Sequence, residues 1–74
     1  MTTKEMNTLK RIPKKYREHI VSLTISESDD YNDRGQRLND YTVVWDNDDE
    51  HTFQNIEYML YAIKENTVDG YYVG

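Results

Sequence analysis

Two short runs alternate apolar and polar residues with a period of two. In IVSLTIS (20–26), Val21, Leu23 and Ile25 alternate with Ser22, Thr24 and Ser26; in YTVVWD (41–46), Tyr41, Val43 and Trp45 alternate with Thr42 and Val44. Such a pattern buries one face of a strand and leaves the other wet. From residue 52 the period changes. Phe53, Ile56, Leu60 and Ile63 recur at helical spacing with Met59 beside them, which predicts a helix over 52–66 with Thr52 as its N-cap. A chain that presents two half-buried strands and one amphipathic helix must pack the helix onto the sheet. The expected class is therefore α+β, with a small antiparallel sheet of two or three strands against N-terminal and C-terminal helices.

The flanking segments fill in this frame. Thr3 is placed to cap a short helix carrying Met6, Leu9 and Ile12, and Pro13 stops it and opens a second short turn, PKKYREHI, with Tyr16 and Ile20 on one side. Between the strands, ESDDYNDRGQRLND lacks apolar periodicity and reads as a long, solvated hairpin connection. NTVDG ends the last helix with a turn at Gly70, and YYV is expected to add a short edge strand. Neither a repeat nor a linker divides the 74 residues, so residues 1–74 are read as one domain.

A core this small needs help. Without cysteine it has no disulfide, and its hydrophobic content of 36% is low, although seven tyrosines offset part of the deficit. Pairing with a second copy is a common remedy, so a homodimer is expected. The apolar stretches are far shorter than the roughly 20 residues that cross a bilayer, and MTTKEMNTLK has no apolar signal core. These features suggest a soluble protein of the cytoplasm with no membrane partner.

The net charge of -5 conceals a sharp division. Residues 1–20 carry six basic and two acidic residues, whereas residues 26–50 carry nine acids against Arg34 and Arg37. One economical reading is a basic helix lying against an acidic sheet rim of the same molecule; the other is two separate surfaces. A metal reading fails on spacing. Asp46, Asp48, Glu50 and Glu57 match positions of a calcium loop, but His51 stands where the template needs glycine, and a strand precedes the loop instead of a helix. His19 and His51 without cysteine give no zinc spacing either, and both are read as structural, His19 closing the short helix and His51 capping or decorating a loop. There is no phosphate loop or nucleophile elbow, and the paired acids sit in polar runs where water keeps them ionised, so no enzyme, catalytic residue, metal or cofactor is expected. The basic stretch KRIPKKYRE suits phosphate contacts, yet the predominantly acidic chain would be repelled by a polyanion, so direct nucleic-acid binding is not expected.

Glu27, Asp29, Asp30, Asp33, Asp46, Asp48, Asp49 and Glu50 are then the candidate partner-binding residues, with Tyr31, and also Tyr41 and Trp45, as aromatic anchors in an acidic field. Gathered at the ends of a sheet, such carboxylates would stand in for phosphates on a basic surface. In SESDDYNDRGQRLND and VVWDNDDEHTF, on a tiny tyrosine-rich chain, the sequence resembles the short sliding-clamp inhibitors of Twort-type staphylococcal phages. The resemblance lies in size, acidity and composition over the full length. It implies a phage-encoded dimeric inhibitor, in the host cytoplasm, that sits in the basic DNA channel of the replication clamp. The apolar clamp-binding peptide is matched only loosely by QRLNDY and QNIEYML, which lack its aliphatic–aromatic pair, so the charged channel is favoured over the peptide pocket. Other expectations are an acidic inhibitor of another host DNA-binding factor, such as a nucleoid protein or RNA polymerase, and a structural or regulatory module whose acids only keep it soluble.

Overall fold

A computed structural model describes residues 2–68 and 71–73. Helix α1 (Thr3–Lys10) and the single turn α2 (Lys14–Arg17) precede a meander of β1 (Ile20–Tyr31), β2 (Arg37–Trp45) and β3 (Glu50–Phe53). Helix α3 (Ile56–Asn66) follows, and β4 (Thr67–Val68) pairs with β5 (Tyr71–Tyr72) in a separate two-stranded sheet. The three-stranded sheet is antiparallel in the order β1-β2-β3. The fold is α+β.

One face of the sheet meets the helices. Leu23 pairs with Val43, and Ile25 with Tyr41, which pairs in turn with Phe53. Leu23, Val43, Trp45 and Phe53 join Ile12, Tyr16, Met59, Ala62 and Ile63 in the core. The alternation turns Thr24, Thr42 and Thr52 to the opposite face, in register across the three strands, with the Thr42 and Thr52 hydroxyls 3.2 Å apart.

Several expectations are corrected. Val21 is not in the buried row: the β1–β2 register shifts between Ile20 and Ser22, so Ile20 stands opposite Trp45 and Val21 is exposed. The polar run after Ser26 is mostly strand, with β1 continuing to Tyr31 and β2 starting at Arg37, so the connection shrinks to 32–36. The helix predicted over 52–66 starts at Ile56. Phe53 closes β3, and Asn55 caps the helix instead of Thr52, accepting hydrogen bonds from the Glu57 and Tyr58 N–H groups. Thr2, not Thr3, caps α1 in a reciprocal box with Glu5. Met6 points to solvent while Glu5 and Thr8 are buried. The turn assigned to Gly70 lies outside the described residues.

Both hairpins of the meander close the same way. Asn32 N–H donates to the Gln36 carbonyl and Gly35 N–H to the Asn32 carbonyl; Trp45 N–H donates to the Asp49 carbonyl and Asp48 N–H to the Trp45 carbonyl. Gly35 (φ 76°) and Asp48 (φ 71°) occupy the left-handed position of these three-residue turns. Asp is one of the few residues besides glycine that adopts this conformation readily.

Candidate acidic interface

The nine candidate residues form two groups. Glu27, Asp29, Asp30, Tyr31 and Asp33 lie at the end of the β1–β2 hairpin, where Tyr31 pairs with Arg37. Asp46, Asp48 and Asp49 lie in the β2–β3 turn, beyond the Ile20–Trp45 pair at the other end of β2, and Glu50 opens β3 opposite Val44. Nine residues of β2 separate the two ends, roughly 30 Å at ~3.3 Å per residue. The carboxylates therefore do not form the one array that the sequence invites; an antiparallel meander must send successive turns to opposite ends.

The two ends differ in neutralisation. At the β1–β2 end the Arg37 guanidinium donates to the Ser28 carbonyl at 2.7 Å, to Glu27 at 3.0 Å and to Asp29 at 3.4 Å. This fork spans the register shift between Glu27 and Tyr31, where the Asp30 N–H donates to the Ser28 hydroxyl. Glu27 and Asp29 are thus partly discharged, leaving Asp30 and Asp33 as the acids without an ion-pair partner there among the described residues. At the β2–β3 end no Lys or Arg of the described residues pairs with Asp46, Asp48, Asp49 or Glu50. Asp46 Oδ2 lies 2.9 Å from His19 Nδ1, and the Asp46 N–H donates to the His19 carbonyl at 2.8 Å, which fixes the root of the turn. Asn47 and Asp49 bond each other within it.

Nor does the basic start of the chain cancel these acids. Of its six Lys and Arg residues, Arg11 forms an ion pair, with Glu57 on α3. For the reading of a basic helix laid against the acidic sheet rim, no Lys or Arg of that segment pairs with a rim acid among the described residues; the contact made is that of His19 with Asp46. Instead, α1 meets the β1 edge through Glu5, whose Oε2 accepts the Ile25 N–H at 2.7 Å.

The expected aromatic anchors separate as well. Trp45 is fully buried and Tyr41 partly so, both on the core face, while Tyr31 is exposed among the acids. Alternation explains this: Tyr41 and Trp45 share the face that Val43 buries, so their size serves the core. His51, expected to cap or decorate a loop, sits in β3 with its ring 3.8 Å from that of Tyr72, and His19 lies 5.1 Å from Tyr71. Among the described residues no three of His, Cys, Asp and Glu gather as a metal site, and no helix is long and apolar enough to cross a membrane. Asp40, one of the nine acids of 26–50 but not a candidate partner-binding residue, is partly buried and lines an open cleft with Thr52, Phe53, Gln54, Asn55 and Tyr58. No sequence signal marks that cleft, because it exists only where β3 turns into α3 beside β2. No protein-family model matches the chain, and no match was found among curated proteins or solved structures.

Proposed function

We propose that this protein is a non-enzymatic inhibitor that binds a basic DNA-handling surface, with the DNA channel of the bacterial replication clamp as the favoured target. The observation that carries the reading is the β2–β3 turn, where four consecutive acidic or amide positions, 46–49, and Glu50 at the start of β3 are exposed, with no Lys or Arg paired to them among the described residues. Unneutralised carboxylates on a hydrogen-bonded hairpin attract a cationic groove at long range and accelerate encounter. Asp30 and Asp33 add charge at the other end of β2. Roughly 30 Å between the ends is shorter than one ~34–36 Å turn of duplex. The mimicry is thus of two phosphate clusters along a groove, with Tyr31 packing at the second. A homodimer would double the pattern, and the site of action in this reading is the host cytoplasm.

Calorimetric titration against purified clamp at low and high salt tests the proposal. Tight association that weakens steeply with salt is the expected result. Association that ignores salt, or none at all, would count against the clamp and the charged channel together. Capture of a nucleoid protein or RNA polymerase from host lysate, with no binding to the clamp, would move the same acidic surface to a different basic target.

A further inference from the structure

The cleft beside α3 has a composition unlike the acidic turns. It is an open recess of about 510 Å³ where β3 passes into α3, bounded by Asp40, Thr52, Phe53, Gln54, Asn55 and Tyr58. The Asp40 Oδ1 atom is buried and has no hydrogen-bond partner among the described residues. A carboxylate oxygen withdrawn from water without a donor is an unmet demand for a hydrogen bond. Two aromatic residues, Phe53 and Tyr58, also line the cleft, with ring centroids 6.0 Å apart and tilted by 55°. Phe53 is held in the core, whereas Tyr58 is exposed and free to lie against a ligand.

A carboxylate acceptor beside aromatic faces suits a planar cation that both donates hydrogen bonds and stacks. The start of α3 also borders the cleft, and its positive end opposes a cation. That end is already satisfied in part, because Asn55 Oδ1 accepts from the Glu57 and Tyr58 N–H groups and Glu57 adds a negative charge in the first turn. Asp40 is left as the unanswered charge. We infer that the cleft is a binding site for an arginine side chain of a basic protein partner, with Asp40 accepting from the guanidinium and Tyr58 stacking on its plane. This deepens the reading of the partner as basic and rests on it for the source of the arginine; the chemistry of the cleft stands independently.

The test is an amide NMR titration of the full-length protein with N-acetyl-arginine amide, and in parallel with the neutral citrulline counterpart. Saturable shifts confined to Asp40, residues 52–55 and Tyr58 are expected, with citrulline binding about tenfold more weakly. Asp40→Asn, which keeps the side-chain shape, and Tyr58→Ala, at an exposed position, should each weaken arginine binding several-fold while leaving the remaining spectrum folded. Equal binding of citrulline, unchanged affinity in Asp40→Asn, or shifts located only at the acidic turns would overturn the assignment. Reversing Asp46, Asp48 and Asp49 to Lys separates the two proposals. Arginine binding that survives this change upholds the cleft whether or not the clamp is bound.

Discussion

Glu5 Oε2 accepts the Ile25 backbone N–H at 2.7 Å while its Oε1 accepts the Thr2 N–H at 2.8 Å. One carboxylate thus closes the capping box of α1 and occupies the open edge of β1, a strand paired on its other side with β2. Edge N–H groups left bare invite pairing with another chain. A helix pinned along the edge prevents that, at least as far as Ile25.

The charge of Glu5 should therefore matter to folding. The Thr2 N–H first, and then the Ile25 N–H, hold its carboxyl below the ordinary value of 4.5. A carboxylate with a depressed folded-state pKa contributes stability that is fully present above the unfolded value and is lost as pH falls through the folded one. Denaturant melts at a series of pH values should show wild-type stability declining below pH 4.5. Glu5→Gln should be less stable at neutral pH, with part of that acid-dependent loss removed.

Small-to-large balance in the core leaves little margin. Met59 is fully buried on α3 between the sheet and the other helix residues of the cluster. Met59→Ala should cost about 2–5 kcal/mol. A domain of 74 residues has a total stability of only about 4–11 kcal/mol at the usual per-residue values. Urea denaturation should find this variant substantially unfolded or with its midpoint more than halved in the less stable case, whereas Met6→Ala, at an exposed position, should change little.

The turns supply a purely backbone prediction. A Cβ placed on Gly35 would meet nothing within 4 Å, so Gly35→Ala is costly only through its φ of +76°. The expected loss is about 1 kcal/mol. At Asp48, which already carries a side chain at φ 71°, substitution by Gly should be neutral or stabilising and substitution by Val should cost about 1–2 kcal/mol. Thermal melts of the three variants check the order.

These same turns show what the sequence could and could not reveal. Leu23, Val43 and Trp45 announced the buried strand face, and Ile56, Met59 and Ile63 announced α3, because burial imposes periods of 2 and 3.6 directly on residue type. Strand beyond Ser26 left no such trace. Ser, Asp and Glu are poor strand formers, and residues 27–31 are held extended by pairing with β2 and by the Arg37 guanidinium fork, contacts six to twelve positions distant. Phe53 fits a helical spacing with Ile56 and a strand spacing with His51 equally well, and the Asn55 cap decides between them. The acids of the candidate interface were legible as residues, but their division into two ends follows from the meander, which composition cannot encode.

Arg37 discriminates between the two ends. Its ion pairs are exposed, so Arg37→Ala should cost no more than about 1 kcal/mol through charge. It would, however, release Glu27 and Asp29. If both ends engage a basic partner, as proposed, affinity at low salt should rise in this variant, and an unchanged affinity would confine the contact to the β2–β3 turn. Fluorescence anisotropy with labelled protein at two salt concentrations measures the difference.

The most direct measurement is the affinity for the purified replication clamp of the Asp46→Lys, Asp48→Lys, Asp49→Lys triple variant, compared with wild type under identical low-salt conditions. The account predicts that reversing these three charges abolishes binding while the circular dichroism spectrum stays that of the folded chain. Wild-type affinity in a folded triple variant would contradict it.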